Sequence, residues 1–115
     1  MKKLRFDLIV LYSVNLQQTL NFYTTLGLNF NEEKHGKGPT HYACEISGII
    51  LELYPAKKPL DKSADIGFSV NNLDSILEKI AKEQIYSTPK ITEYGRTATL
   101  TDPDGRRVHL RENSA

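Results

Sequence analysis

The sequence predicts an α+β fold built from two copies of a βαβββ unit. A short pattern occurs twice, as Ser-Val-Asn-Leu at residues 13–16 and as Ser-Val-Asn-Asn-Leu at residues 69–73. Each copy follows a β-like segment and precedes a helical one. In addition, residues 102–105 read Asp-Pro-Asp-Gly, a sequence typical of a hairpin turn between two strands. Two similar halves are therefore expected, each with one helix and several strands.

The first half begins with a strand at residues 6–12 and continues with an amphipathic helix. The apolar stripe of this helix consists of Leu16, Leu20, Tyr23 and Leu26. Asn15 is the predicted N-cap and Gly27 the predicted C-terminal stop. Further strands are predicted at residues 29–31, 40–47 and 49–54. Residues 32–39 are charged and contain glycine, so we expect a mobile loop, and His35 within it is given no role.

The second half repeats this order, with a strand at residues 66–70 and a helix capped by Asn72. The apolar face of the helix consists of Leu73, Ile76, Leu77, Ile80 and Ala81. Strands follow at residues 85–87, 94–101 and 107–111. The segment 55–63 contains two prolines and three lysines and is the predicted linker. Residues 1–115 are thus expected to form one domain, with units at 4–54 and 64–113.

Composition and charge narrow the range of partners. Fifteen basic and fourteen acidic residues give a net charge of +1, which favours neither nucleic acid nor a membrane surface as a partner. No apolar segment reaches transmembrane length, and Lys2 and Lys3 do not begin a signal peptide, so we expect a cytoplasmic protein. The single cysteine, Cys44, cannot form an internal disulfide and is predicted to be a small buried side chain.

Alternation along the strands separates an apolar face from a polar face. Core positions are predicted at Cys44, Leu51, Leu53, Phe68, Leu100, Val108 and Leu110. The other face carries most of the reactive side chains, including Tyr12, His41, Glu45, Glu52, Tyr54, Asp65, Ser69, Thr99, Arg107, His109 and Arg111. A functional site is therefore expected on that polar face.

Two stretches of sequence link these halves to a known fold. Residues 22–30 read Phe-Tyr-Thr-Thr-Leu-Gly-Leu-Asn-Phe, and the Asp-Pro-Asp-Gly turn lies near the end of the chain. This combination resembles the vicinal oxygen chelate superfamily, which includes glyoxalase I, bleomycin-resistance proteins, fosfomycin-resistance enzymes and extradiol dioxygenases. The resemblance implies paired βαβββ units whose mixed sheets curl around a shared cleft, and it also implies a homodimer.

The resemblance further implies where a metal would bind. Metal-dependent members take ligands from the first and last strands of each half, which corresponds here to Leu8, Glu52, Asp65 and His109. Glu52, Asp65 and His109 would suit one divalent ion, such as iron, manganese, nickel or zinc. Leu8 has no ligating atom, so the ligand set is incomplete. The alternative is that these polar side chains only hydrogen-bond to one another or to solvent.

Other residues on the polar face are candidates for direct ligand contact. Tyr12 and Tyr54 could stack on an aromatic ligand, and Arg107 could bind a carboxylate or phosphate through paired hydrogen bonds. His41 and Ser69 share the same predicted face. Arg111 is a second candidate for binding a carboxylate or phosphate in this way. Either arginine could instead pair with a side chain on a neighbouring strand.

Three functions remain open at this point. The first is a metal-free protein that binds a small molecule, similar to the bleomycin-resistance group. The second is a metal-dependent lyase or isomerase resembling glyoxalase I, with Glu52, Asp65 and His109 around the ion. The third is a metal-free enzyme in which His109 and either Glu52 or Asp65 act as an acid–base pair, with Glu52 and His109 as the candidate catalytic residues. The incomplete ligand set favours the first function.

Overall fold

Each half of the chain folds into one α-helix and four strands. The computed structural model describes residues 5–59 and 64–113, which form two compact units on either side of residues 60–63. The first unit contains β1 (Leu8–Ser13), α1 (Leu16–Thr25), β2 (Asn31–Glu33), β3 (His41–Ile46) and β4 (Ile49–Pro55). The second contains β5 (Ile66–Val70), α2 (Leu73–Lys79), β6 (Ile85–Thr92), β7 (Gly95–Thr101) and β8 (Arg107–Glu112). The second half of the predicted linker, residues 60–63, lies outside the described residues.

Both units have the same sheet topology. The strand order is β1-β4-β3-β2 in the first unit and β5-β8-β7-β6 in the second. In each sheet the first strand pairs in parallel with the last strand of its unit, and the remaining pairs are antiparallel. These two four-stranded mixed sheets confirm the predicted α+β class and the predicted repeat.

The helix of the first unit begins and ends where the sequence predicts. The side chain of Asn15 accepts a hydrogen bond from the backbone N–H of Gln18 at 3.1 Å, which satisfies one free donor of the first turn. Gly27 follows the helix with a φ of 113°, a left-handed conformation that favours glycine. Tyr23 from α1 and Leu53 from β4 are fully buried in the core of this unit.

The helix of the second unit is shorter than predicted. Asn72 caps it by accepting from the N–H of Ser75 at 3.0 Å, as expected. However, α2 ends at Lys79, and Ile80 has an extended backbone and is buried. The prediction that Ile80 and Ala81 belong to the helix was therefore wrong. A β-branched residue has a low helix propensity, so leaving the helix costs it little free energy when the extended conformation still buries its side chain.

Three strands differ from the prediction by two or more residues at one or both ends. β1 begins at Leu8, two residues later than expected. β2 lies two residues later than expected, so Glu32 and Glu33 belong to a strand and not to the loop. β6 continues to Thr92 and passes through Pro89, where a proline would usually end a strand. β6 is an edge strand, and its pairing with β7 shifts register between Ser87 and Lys90. The edge position and the irregularity accommodate the proline, which lacks a backbone N–H.

The predicted hairpin turn is present between β7 and β8. Gly105 has a φ of 90°, and its N–H donates to the carbonyl oxygen of Asp102 at 2.8 Å. The strand that leaves the turn buries Val108 and Leu110, while His109 between them is exposed. The turn thus determines which face of β8 is buried and which face presents His109.

Among the described residues, no helix combines the length and the apolar character needed to cross a membrane. Cys44 is buried in β3 as predicted, and burial raises the pKa of its thiol.

Candidate functional site

Strand pairing in the second unit collects polar side chains on one face of the sheet. In the parallel pair of β5 and β8, Gly67 lies opposite His109 and Ser69 lies opposite Arg111. On the other side of β8, Thr99 of β7 is the partner of His109. Neighbours in register point to the same side of a sheet. His109 is therefore flanked by Gly67 and Thr99.

A pocket of about 470 Å³ lies over this part of the sheet. Its lining includes Ser69, Tyr94, Thr97, Thr99, His109 and Arg111. The volume is within the range of about 300–1,000 Å³ that is typical of small-molecule sites. The lining combines one cationic group, several hydroxyls and an aromatic ring, so it can contact both polar and apolar parts of a ligand.

His109 is held between two hydrogen-bond partners. Its Nε2 lies 2.9 Å from Oδ2 of Asp65, and its Nδ1 lies 3.1 Å from Oγ1 of Thr99. The carboxylate can only accept, so a neutral His109 carries its proton on Nε2 and accepts from the Thr99 hydroxyl at Nδ1. Both side chains of the Asp65–His109 pair are at least half exposed. The structure thus brings together two of the three residues predicted for metal binding.

The two predicted arginine candidates have different surroundings. Arg111 lines the pocket and donates to Oγ of Ser69 at 3.0 Å. Arg107 donates to Oγ1 of Thr101 at 2.7 Å, and its guanidinium lies 3.7 Å from the ring centroid of Tyr86. Arg107 is not among the residues that line this pocket. Arg111 is therefore the better placed of the two to bind an anionic group in the pocket.

Tyr94 is a pocket residue that the sequence analysis did not select. It lies in the turn between β6 and β7, where Gly95 has a φ of 101°, and its side chain is largely exposed. The predicted strand 94–101 begins at Tyr94, whereas β7 begins at Gly95, so Tyr94 lies outside the alternation of the strand. The available signal was an aromatic residue beside a glycine, since loops often carry binding residues.

The first unit has a separate polar and aromatic cluster. The rings of His41 and Tyr54 stack with their centroids 4.2 Å apart and an angle of 10° between their planes. Tyr12 is the cross-strand partner of Tyr54, and these two rings are 6.0 Å apart. Glu52 approaches the same histidine, with Oε2 3.7 Å from Nε2 of His41. The structure therefore brings together the predicted residues Tyr12, His41, Glu52 and Tyr54.

A second carboxylate and a second histidine join this cluster from the loop side. Oε1 of Glu33 lies 3.3 Å from Nε2 of His41 and 3.5 Å from Nε2 of His35. Among the described residues, Glu33, His35 and His41 form the group whose ligand atoms are close enough to hold a metal ion. The sequence analysis assigned Glu33 and His35 to a loop without a role, because the strand there was predicted two residues too early.

The electrostatic environment of this cluster is negative. Partial desolvation, followed by the charges of Glu52 and of its neighbours Tyr12 and Glu33, raises the pKa of the Tyr54 phenol. Burial, the largest cause of the shift, disfavours a charge of either sign, and the carboxylates of Glu52 and Glu33 add a further penalty for a negative charge on the phenol.

Comparison with known proteins identifies the family. The family model described as Glyoxalase/Bleomycin resistance protein/Dioxygenase superfamily matches residues 5–110. The chain belongs to that superfamily. This confirms the resemblance seen in residues 22–30 and in the turn at residues 102–105. A comparison with curated protein sequences finds no significant match.

Solved structures share this fold at low sequence identity. A hypothetical protein from S. aureus, SA1046, has a TM-score of 0.75 and 18% identity, over 96% of this chain and 97% of that one. TnmS3, an antibiotic binding protein from Streptomyces sp. CB03234, has a TM-score of 0.73 and 20% identity, over 99% of each chain. The oxidase ChaP-H1 has a TM-score of 0.72 and 13% identity, over 97% of this chain and 98% of that one. At these identities the likeness concerns the fold alone.

Proposed function

We propose that this superfamily member binds a small molecule in the pocket over β5, β7 and β8 of its second unit. The ligand class we propose is a planar or apolar body that carries an anionic or hydrogen-bond-accepting group. The pocket over His109, with Gly67 at the neighbouring position, is the observation that carries this proposal. TnmS3, which has the same fold, is an antibiotic binding protein, and this supports a binding function.

Gly67 supports the proposal because it leaves space where another residue would place a side chain. Glycine in the interior of a strand weakens the strand, and it often marks a place where a ligand approaches the backbone. A Cβ built at Gly67 would lie 3.6 Å from the carbonyl oxygen of His109, an ordinary contact, so the backbone does not require glycine. The open space above the sheet is thus a feature that a ligand can use.

The polar groups of the pocket fit the proposed ligand class. Arg111 can bind a carboxylate or phosphate through charge-assisted hydrogen bonds. The imidazole of His109 and the hydroxyls of Thr97 and Thr99 can contact further polar groups, and the exposed ring of Tyr94 can cover an apolar or planar body. Binding of this kind requires no metal ion.

A fragment screen with matched variants tests the proposal. We would use ligand-observed NMR with a library of aromatic carboxylates and phenols, on the wild-type protein and on Gly67→Leu, which fills the pocket. Thr88→Leu is the control, because it adds a similar side chain at an exposed position of β6 outside the pocket. We expect hits that are lost in Gly67→Leu, weakened at least tenfold in Arg111→Ala and retained in Thr88→Leu. No hits, or hits that survive in both pocket variants, would contradict the proposal.

A second candidate function is favoured by the surroundings of His109. The carboxylate of Asp65 orients the imidazole of His109 at Nε2, and the Thr99 hydroxyl contacts Nδ1. A substrate group that replaced this hydroxyl at Nδ1 could exchange a proton with the ring. In this alternative, His109 would move a proton on the bound molecule. His109→Gln should then abolish turnover of a bound substrate while its binding persists.

The metal-dependent alternative, with Glu52, Asp65 and His109 around one ion, stays a prediction. Two observations count against a good fit. Leu8 provides no ligand atom at the remaining corner, and Nε2 of His109 is already hydrogen-bonded to Asp65. We therefore assign no step of the proposed function to a metal at these residues.

A further inference from the structure

We infer that the first unit carries a separate site for a divalent transition-metal ion, with zinc as the best fit, formed by Glu33, His35 and His41. These residues lie on β2, β3 and the loop between them. They differ from the positions at which the family resemblance places a metal. The inference goes beyond the proposed ligand pocket and shares no residue with it.

The hairpin explains why these three side chains meet. Glu33 and His41 are cross-strand partners in the β2–β3 pair, so their side chains project from the same side of the sheet. The loop that joins the strands turns back at Gly36, which has a φ of 57°, and the N–H of Gly38 donates to the carbonyl oxygen of His35 at 2.9 Å. The chain therefore reverses directly after His35, and His35 stays at the end of the hairpin, beside Glu33.

The two distances from Glu33 to the histidines match those between ligand atoms of a tetrahedral site. Zinc held at about 2.0–2.1 Å from nitrogen and oxygen ligands places neighbouring ligand atoms about 3.3 Å apart. Oε1 of Glu33 lies 3.3 Å from Nε2 of His41 and 3.5 Å from Nε2 of His35. All three ligand atoms lie within 4.8 Å of one another. The His35 side chain is 74% exposed, so packing does not prevent the small rotation that would bring its ring nitrogen into the ligand position.

His41 is oriented as a metal ligand. Its Nδ1 lies 3.2 Å from the carbonyl oxygen of Pro39, which can only accept, so Nδ1 carries a proton. A metal-binding histidine usually donates its other ring N–H to a carbonyl or a carboxylate in this way. The histidine is 1% exposed and its ring stacks on Tyr54, which fixes the direction of Nε2.

Three oxygen-bearing side chains surround Nε2 of His41. The carboxylates of Glu33 and Glu52 lie 3.3 Å and 3.7 Å from it, and the hydroxyl of Tyr54 lies 3.4 Å from it. With the proton on Nδ1, Nε2 presents its lone pair to these groups. The Tyr54 hydroxyl can donate to that lone pair, whereas the two carboxylates cannot. A metal ion would bind the lone pair and would also be attracted by both carboxylates.

The donor set selects the class of metal. Two imidazoles and one carboxylate suit zinc, nickel, copper or iron, whereas magnesium and calcium prefer oxygen ligands alone. Three protein ligands leave at least one position for water or another small ligand. Glu52 lies on the far side of His41 from the strand β2 and adds negative charge to the site.

Calorimetric titration of the chelator-treated protein with zinc sulfate tests the inference. We expect about one zinc ion per chain and no detectable binding of magnesium under the same conditions. His35→Gln and Glu33→Gln should each weaken zinc binding at least tenfold. Both positions are partly or largely exposed, so these variants should fold even if a variant of the buried His41 does not. His109→Gln is the matched control and should bind zinc as the wild type does.

Imidazole NMR identifies the ligands directly. Long-range ¹H–¹⁵N spectra should show that zinc shifts the ring signals of His35 and His41 and leaves those of His109 unchanged. Absence of zinc binding would overturn the inference. Zinc binding that survives in His35→Gln and Glu33→Gln but is lost in His109→Gln would overturn it as well. Neither result would affect the ligand screen on Gly67→Leu.

Discussion

The side chain of Asp102 holds the turn between β7 and β8 through several hydrogen bonds. Its Oδ1 accepts from the backbone N–H groups of Asp104 and Arg106 at 2.9 Å and 3.0 Å, and its Oδ2 accepts from Nε of Arg106 at 2.8 Å. The Asp102 side chain is fully buried, and that of Arg106 is only 11% exposed. A buried pair of this kind fixes the geometry of the turn, and it fixes the start of the strand that carries His109.

Asp102→Ala should therefore destabilise the protein strongly. Removing one partner of a buried ion pair costs about 3–5 kcal/mol. Oδ2 of Asp104 still lies 3.3 Å from Nη2 of Arg106, so we expect a loss near the lower end of that range. Urea unfolding monitored by circular dichroism measures the change in the free energy of unfolding. Glu93→Ala is the control, because Glu93 is an exposed acidic residue in the neighbouring hairpin turn. A loss for Asp102→Ala that is no larger than the loss for Glu93→Ala would contradict this account.

The sequence indicated the position of some residues of the candidate sites and missed others, for reasons that differ from residue to residue. Alternation along β8 placed His109 on the polar face, and the parallel pairing with β5 brought Asp65 to it. Glu33 and His35 were not predicted, because a three-residue strand leaves too short a pattern to detect. The burial of Asp102 was not predicted either, since an aspartate at the start of a turn usually interacts only with its local backbone.

At the scale of elements, the repeated motif has a structural role in both halves. Asn15 and Asn72 occupy equivalent positions, and each accepts a hydrogen bond from the backbone N–H three residues later. α2 has additional support at its N-terminus, where Oε2 of Glu112 accepts from the N–H of Leu73 at 2.9 Å. Its Asp74 also pairs with Arg96 of β7, and hydrogen bonding to this guanidinium lowers the pKa of Asp74.

Replacing either capping asparagine should destabilise the protein by a similar, moderate amount. Asn15→Ala and Asn72→Ala each leave a backbone N–H of the first helical turn without its partner, which typically costs about 1 kcal/mol. Asn15→Ser and Asn72→Ser should retain most of the stability, because serine is also a good N-cap. Thermal unfolding of the four variants measures this. Equal stability of the alanine and serine variants would contradict the prediction that the cap hydrogen bonds stabilise the fold.

The helices and the order of elements along the chain could be predicted at this scale, whereas the ends of elements and the order of strands in each sheet could not. The caps and the periodicity of the apolar residues fixed the start of both helices. The end of α2 depended on the burial of Ile80, and the length of β6 depended on pairing that tolerates Pro89. Both are tertiary effects that local sequence does not contain.

At the scale of the whole molecule, the superfamily assignment accounts for the fold and does not determine whether two chains associate. Exposed apolar side chains occur on β1 and β4, where Leu8 and Ile50 are cross-strand partners and are 51% and 44% exposed. Adjacent exposed apolar residues often mark a surface that another protein covers. The homodimer and the single domain over residues 1–115, both expected from the sequence, stay predictions.

Light scattering coupled to size-exclusion chromatography tests the homodimer. We expect twice the mass of a single chain for the wild type and a shift toward the monomer in the double variant Leu8→Glu/Ile50→Glu, because buried charges oppose association. Lys90→Glu is the control, since it changes charge at an exposed position of β6. A monomeric wild type at all concentrations would contradict the prediction. An unchanged dimer in the double variant would place the interface elsewhere.

The central claim is that the pocket beside Gly67 binds a small molecule, and chemical-shift mapping tests it most directly. A ¹H–¹⁵N spectrum would be recorded during titration with an aromatic carboxylate selected in the fragment screen. We predict that the largest shifts occur at the backbone amides of Gly67, Ser69, Thr97 and Arg111, which border the pocket. Shifts confined to the first unit, or spread over the surface without a maximum at these amides, would contradict the claim.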